Sequence, residues 1–270
     1  MIHTFPIHGP IHLGCRTGFG SVTVHADEQV AEARVELTQL DARSDSVART
    51  EVRLRDDNTL IVRAPGPRGS LFDIPVFGGK FSQRDAMDVR IDVPPGTLMH
   101  LAAWGGEVTV AGRVGALDIA SGAATVVVDE VDGDFRLRFG SGSAQVARVR
   151  GSASVKSGAG DARLGEVGGT TTMVCGSGSL EVAVARGPVR MRAGTGSATI
   201  GVAHGDVNLA SGTGGLSVGL PDGQPARVDV VTAAGQLDSD LPLQGTPPDG
   251  RAITIRARTG SGNVRLRRAA

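Results

Sequence analysis

The chain has no tyrosine and one tryptophan, and aromatic residues fill only 3% of its 270 positions. That scarcity argues against stacking platforms for sugars, bases or single-stranded nucleic acid. Cysteine is nearly missing as well. Cys15 and Cys175 stand far apart with no CxxC, which excludes a disulfide framework and a thiolate metal cluster. Neither sign of charge is in excess: 28 basic residues balance 28 acidic ones, so the net charge is +0. A global bias toward nucleic acid or an anionic membrane is therefore absent. No window approaches about 18 consecutive apolar residues, and no transmembrane helix is expected. The opening MIHTFPIHGPIHLG lacks a basic region followed by an apolar run. It reads as no signal peptide, and a cytoplasmic location is expected.

Glycine is what the chain has in abundance, with 40 residues, beside a hydrophobic content of 40% that supports a core. The glycines follow no G-X-Y period, which excludes collagen. From Gly106 to Gly223 every ninth residue is glycine, with Ala124 as the exception. Four residues after each comes an aliphatic residue or Met, from Val110 through Val146 and Met173 to Val218. Two residues after each, the position runs from Val108 through Phe135, Ala153 and Thr171 to Leu216. Such alternation marks half-buried β-strands. Successive units differ, so the true period is two units, or 18 residues. One corner carries G-x-G, as at Gly176 and Gly178; the other carries a hydrophobe two places before its glycine, as at Val131, Val149 and Val167. The corner glycines are expected to supply positive φ.

This pattern predicts an all-β fold: a parallel β-solenoid with two strands per 18-residue coil, 9-residue half-repeats and irregular end coils. One coil cannot offset its own ordering entropy, so the repeat must be iterated. A calcium roll would need Asp two residues after the glycine, where this chain has core residues, so no calcium dependence is expected. A hexapeptide helix would need an inward residue every six positions. The flanks repeat the motif at TGFGSVTV (17–24) and TGSGNVRLRR (259–268). Between them, Val35/Leu37, Val52/Leu54, Leu60/Val62 and Val89/Ile91/Val93 read as strands, with a hairpin turn at Asp57-Asn58. Residues 63–84, with Pro65, Pro67 and Pro75, and 240–250, with Pro242, Pro247 and Pro248, read as loops. The expected organisation is one domain over 1–270: irregular strands and a cap in 1–100, regular repeats in 101–223, and C-terminal coils with a cap in 224–270. A separate N-terminal domain is the alternative.

The segments TGFGSVTV (17–24), DVRIDVPPGTLMHLAAWGGEVTV (88–110), the GSGS-type corners and TGSGNVRLRR resemble the bacterial putative-adhesin, β-strand-repeat family. The resemblance spans nearly the whole chain. It implies a β-solenoid with an adhesin-like role and transfers no catalytic residue.

Searching the residues for chemistry yields little. His8 and His12 are separated by Gly9-Pro10, so no helix aligns their rings for a metal. The serine-rich corners lack a histidine in step, and G-x-G without a following helix is a poor phosphate cradle. The outward carboxylates Glu107, Asp118, Asp134, Asp161, Glu181 and Asp206 are scattered, and two neighbours, Asp118–Arg136 and Arg163–Glu181, are expected to pair. No acid–base pair for glycan cleavage emerges. No catalytic residue, cofactor or metal ligand is assigned, and no enzyme is expected. The one candidate site is an anion-binding stripe of Arg136, Arg138, Lys156, Arg190 and Arg192, with Arg256, Arg258, Arg265, Arg267 and Arg268 as a basic end. Its expected partner is an unknown protein or an anionic polymer, not a specific nucleic acid. The function expected is a non-enzymatic scaffold or binding protein. A self-assembling oligomer or filament, or a glycan- or polyanion-acting enzyme, is the alternative.

Overall fold

A computed structural model describes residues 1–64, 83–241 and 252–269. The fold is all-β and its strand pairings are mostly parallel; among the described residues the sole helical element is a 3-10 turn at Gln83–Asp85. The proline-rich stretches around Pro67 and Pro247 fall outside the described residues. The chain forms two compact units, Met1–Ala144 and Gln145–Ala270.

The first unit contains β1 (Ile2–Pro6), β2 (His12–Ala26), β3 (Glu32–Gln39), β4 (Glu51–Leu54), β5 (Thr59–Arg63), β6 (Met87–Val93), β7 (Leu98–Val114) and β8 (Leu117–Val131). The next strand, β9 (Phe135–Val149), begins in this unit and ends in the second. β7 and β8 pair in parallel with an offset of eighteen residues, as in Met99↔Leu117 and Val108↔Val126. On its other side β7 pairs along its length with β2, where Gly20 meets Gly106 and Val24 meets Val110. The motif at 17–24 therefore pairs in parallel and in register with the strand that begins the regular repeats, 86 residues away in sequence. Beyond β2 lie β5 and β6, each covering one half of it. Antiparallel strands finish both halves: β4 on β5, and β3 then β1 on β6. The β4–β5 turn is at the expected place. Asn58 has φ of 61°, the Asn58 amide donates to Arg55 O (3.0 Å), and Thr59 N donates to Asp57 Oδ1 (3.2 Å). Asn tolerates this left-handed conformation better than other side chains.

The second unit contains β10 (Ala153–Val167), β11 (Thr171–Ser177), β12 (Leu180–Ala185), β13 (Val189–Thr195), β14 (Ala198–Ala203), β15 (Val207–Thr213), β16 (Leu216–Pro221), β17 (Ala226–Ala234), β18 (Leu237–Ser239), β19 (Ile253–Ser261) and β20 (Val264–Ala269). One ladder runs β10–β11–β13–β15, and a second runs β10–β12–β14–β16, again with partners eighteen residues apart. At the C-terminal end the order in space departs from the order in sequence. β19 pairs with β15 on one side and β17 on the other, and β20 likewise lies between β16 and β18. The last two strands of the sequence are therefore the penultimate members of their ladders among the described residues.

The alternation read from the sequence holds. Val110, Val146, Met173, Ile200 and Val218 are all buried, as are Val108, Phe135, Ala153, Thr171 and Leu216. Burying such a column against its neighbours in both directions is the main stabilising term. The role of the corner glycines differs from expectation. Positive φ occurs at the corner glycines Gly20, Gly106, Gly142, Gly178, Gly214 and Gly262, but not at Gly196 or Ala124. Ala124 occupies one of the intervening corners, where a side chain costs no backbone strain. At the other corner Gly187 has no positive φ. A Cβ there would lie 2.4 Å from Gly169 O of the preceding layer. Close stacking, not conformation, excludes side chains at that corner.

Candidate binding surface

Outward positions on the β10–β11–β13–β15–β19–β17 ladder fall into registered columns. Ser154, Thr172, Arg190, Asn208, Arg256 and Asp229 form one; Lys156, Val174, Arg192, Ala210, Arg258 and Val231 form the next. Lys156, Arg190 and Arg192 of the stripe thus share one face, and all three are exposed. Arg136 and Arg138 stand on β9 within the first unit. Arg138 is engaged: its Nη2 donates to Asp118 Oδ1 (3.0 Å) and Oδ2 (3.2 Å). The expected Asp118–Arg136 pair is therefore replaced by a diagonal one, within the reach of a long guanidinium side chain. Arg163–Glu181 forms as expected, at 3.2 Å and across the registered pair.

The basic end separates into parts. Arg256 and Arg258 join the face just described because β19 inserts beside β15. Arg265 lies on the other ladder and pairs with Asp238 at 2.9 Å. Arg268 donates to Pro221 O (2.8 Å) and Gln224 O (3.1 Å), closing a turn.

The scattered carboxylates have local structural work. Asp161 Oδ1 accepts from Ser179 N (2.8 Å) at the corner between β11 and β12, and Asp206 Oδ1 accepts from Thr254 N (2.8 Å) near the start of β19, each satisfying a backbone amide of the neighbouring strand layer. Asp88 does the same for the amide and hydroxyl of Ser21. Glu166 lies between Arg148 and Arg186, and the Arg186 hydrogen bond holds its carboxyl below the ordinary carboxylate range. Spacing alone gives no sign of these corner acceptors; a signal lay in the recurrence of Asp just before inward positions.

Ser211, a corner serine, is buried and donates to backbone carbonyls at Gly196 (2.8 Å) and Thr213 (2.9 Å), so its hydroxyl is structural. Cys175 is buried between the small residues Ser157 and Ala193 of adjacent layers. Desolvation, with the nearby Asp161 charge, pushes its thiol pKa up. Cys15 is more deeply buried, and desolvation raises it to about 12. Both thiols are poor nucleophiles. A shallow cleft of about 510 Å³ lies near His25, Asp27, Arg34, Arg90 and Asp92. Its charges are partly self-paired, Arg90 with Asp92 at 3.5 Å. No group of three or more His, Cys, Asp or Glu that could hold a metal occurs among the described residues. No helix among them is long and apolar enough to cross a membrane.

No protein-family model matches the chain, and no curated protein sequence matches it. Solved structures do. A putative adhesin from Parabacteroides merdae ATCC 43184 is similar with a TM-score of 0.52 at 12% identity, over 98% of this chain and 95% of that one. A putative adhesin from Bacteroides fragilis NCTC 9343 gives 0.44 at 13% identity, over 98% and 96%. A putative lipid binding protein from Parabacteroides distasonis ATCC 8503 gives 0.37 at 9% identity, over 98% and 96%. At these identities the likeness concerns the fold.

Proposed function

We propose that the chain is built from 18-residue β-solenoid coils and acts as a non-enzymatic, adhesin-like binding scaffold. The observation that carries this reading is the eighteen-residue register, repeated along both ladders of the second unit, with inward and outward residues alternating along β11, β13 and β15. Such a register fixes the inward residues for stacking and leaves rows of outward side chains at regular spacing, a surface suited to extended partners. The carboxylates Asp161, Asp206 and Glu166 are acceptors for backbone amides or partners of arginine.

The test is a panel of immobilised polymers and matrix proteins, scored for retention and for release of fragments. Saturable retention without fragments is expected. Fragment release would contradict the non-enzymatic assignment.

Self-assembly has one specific observation in its favour. Among the described residues no strand pairs with the far side of β17. Its inward Val228 and Val230 are only half-buried, and Leu237 of β18 is 42% exposed. An edge of this kind is a template for further pairing. Sedimentation at two concentrations tests it: a rise in mass supports assembly, and an unchanged monomer contradicts it.

A further inference from the structure

The outward face of the first ladder of the second unit carries more charge than the sequence grouped together. Lys156, Arg190, Arg192, Arg227, Arg256 and Arg258 occupy outward positions of its strands, against two carboxylates, Asp229 on β17 and Asp206 just before β15. Asp229 is 3.7 Å from Arg258. Lys156, Arg190, Arg192 and Arg256 make no hydrogen bond or ion pair with the described residues. By contrast, the adjoining outward glycines have a structural cause, since a Cβ on Gly194 would sit 2.7 Å from Gly176 O. They leave a bare shelf beside the cations.

Register sets the spacing. Arg192 is two strands from Lys156 and two strands from Arg258, with Val174 and Ala210 between; Arg190 is likewise two strands from Arg256. At about 4.8 Å per strand the cations recur every ~9.6 Å across the sheet. That is too far apart to chelate one small anion, but it suits a chain of anions laid across the strands. The charges then act together, each contact raising the effective concentration of the next.

We propose that this face binds a linear anionic polysaccharide, with successive carboxylate or sulfate groups meeting Lys156, Arg192 and Arg258 in one column and Arg190 and Arg256 in the other. The assignment rests on the binding-scaffold reading and names its ligand class. A single-stranded nucleic acid would want aromatic platforms, and the outward columns hold none. A membrane surface would want large apolar side chains to insert, and the columns offer only Val174 and Val231. Acidic polysaccharides belong to the cell surface and its surroundings, so this ligand carries the protein outside the cytoplasm, unlike the N-terminal reading.

The full chain is titrated onto immobilised polygalacturonate, with neutral dextran, oligo-dT and phosphatidylglycerol vesicles in parallel. Two variants reverse charge on the face, R190E/R192E and R256E/R258E. A third, R163E/R267E, reverses the same charge on the other ladder; melting temperature confirms that each folds. Wild type is expected to bind polygalacturonate in a salt-dependent way and to ignore dextran. Each face variant is expected to lose roughly tenfold or more, with a shallower salt slope, and the control less than about threefold. Equal losses in all three variants would overturn the site. Tighter, face-dependent binding of oligo-dT or vesicles would overturn the ligand class. No binding to any polyanion by folded wild type would overturn the inference but not the scaffold reading, which fails only if the whole polymer and matrix-protein panel is ignored.

Discussion

Inward and outward side chains differ by one position along a strand, and the consequences of that step are large. Val146 is 3% exposed while its neighbour Gln145 is exposed. Val146→Asp buries an unpaired charge and should cost more than about 4 kcal/mol or prevent folding; Gln145→Arg should stay within about 0.5 kcal/mol. Denaturant melts of the two variants check this, and equal losses would contradict the facing. Thr171 is fully buried between Ala153 and Val189, and its hydroxyl has no partner. Thr171→Val keeps the β-branched shape and removes the unpaired group, so urea melts should show a gain of about 1 kcal/mol; a loss would show that the hydroxyl is in use.

Cys15 gives a pH dependence with a definite sign. Burial raises its pKa from 9.0 to about 12, so above pH 9 the unfolded thiol ionises while the folded one stays neutral. Folding stability from this group is complete below pH 9 and falls as pH rises toward about 12, by ~4 kcal/mol in all. The background is low but includes Cys175, whose thiol burial also raises; the chain has no tyrosine and its lysines are Lys80 and Lys156. Melts from pH 8 to 11 should show a clear alkaline decline in wild type and a flatter one in Cys15→Ala. Parallel declines would place the alkaline loss elsewhere.

The C-terminal layers show how far single elements can be understood from their own sequence. TGSGNVRLRR contains a strand with its inward residues in register: Val264 faces Leu216 and Leu266 faces Val218. Its level in the stack is not legible, because the inward pattern of one coil fits any level equally well. The positive end formed by Arg256 to Arg268 is divided for the same reason, two arginines reaching the Arg190/Arg192 face only through the insertion of β19. The Lys156–Arg190–Arg192 grouping was legible, since it follows from alternation and the period alone. The diagonal Arg138–Asp118 contact was not, because it depends on side-chain reach beyond the registered partner. The hairpin at Asp57-Asn58 was legible from local turn chemistry. Insertion also predicts an inverted order of protection. β19 is paired on both sides, with Ile255 and Ala257 fully buried, whereas Val228 and Val230 of β17 are half-buried. Amide exchange should be slower at Ile255 and Ala257 than at Val228 and Val230, although the former lie nearer the C-terminus. The reverse order would contradict the inserted topology.

For the whole molecule, the proposed 18-residue coil makes phase decisive: each layer would need corner to match corner and inward residue to match inward residue, every eighteen positions. Size matters less, because stability in stacked repeats is close to a sum of unit and nearest-neighbour terms. The two corners are chemically unlike, G-x-G at Gly194 and Gly196 and a hydrophobe-led glycine at Ala203 and Gly205. A half-period shift therefore stacks the wrong corners on one another. The most direct measurement is a comparison of two internal deletions by thermal unfolding. Removing residues 171–206 excises two complete coils and would bring Ala153 opposite Val207. Removing residues 171–197 takes out less of the protein but breaks the phase. The larger deletion is expected to fold with one cooperative transition, and the smaller to be unfolded or several kcal/mol less stable. Equal behaviour, or a more stable smaller deletion, would contradict the 18-residue coil.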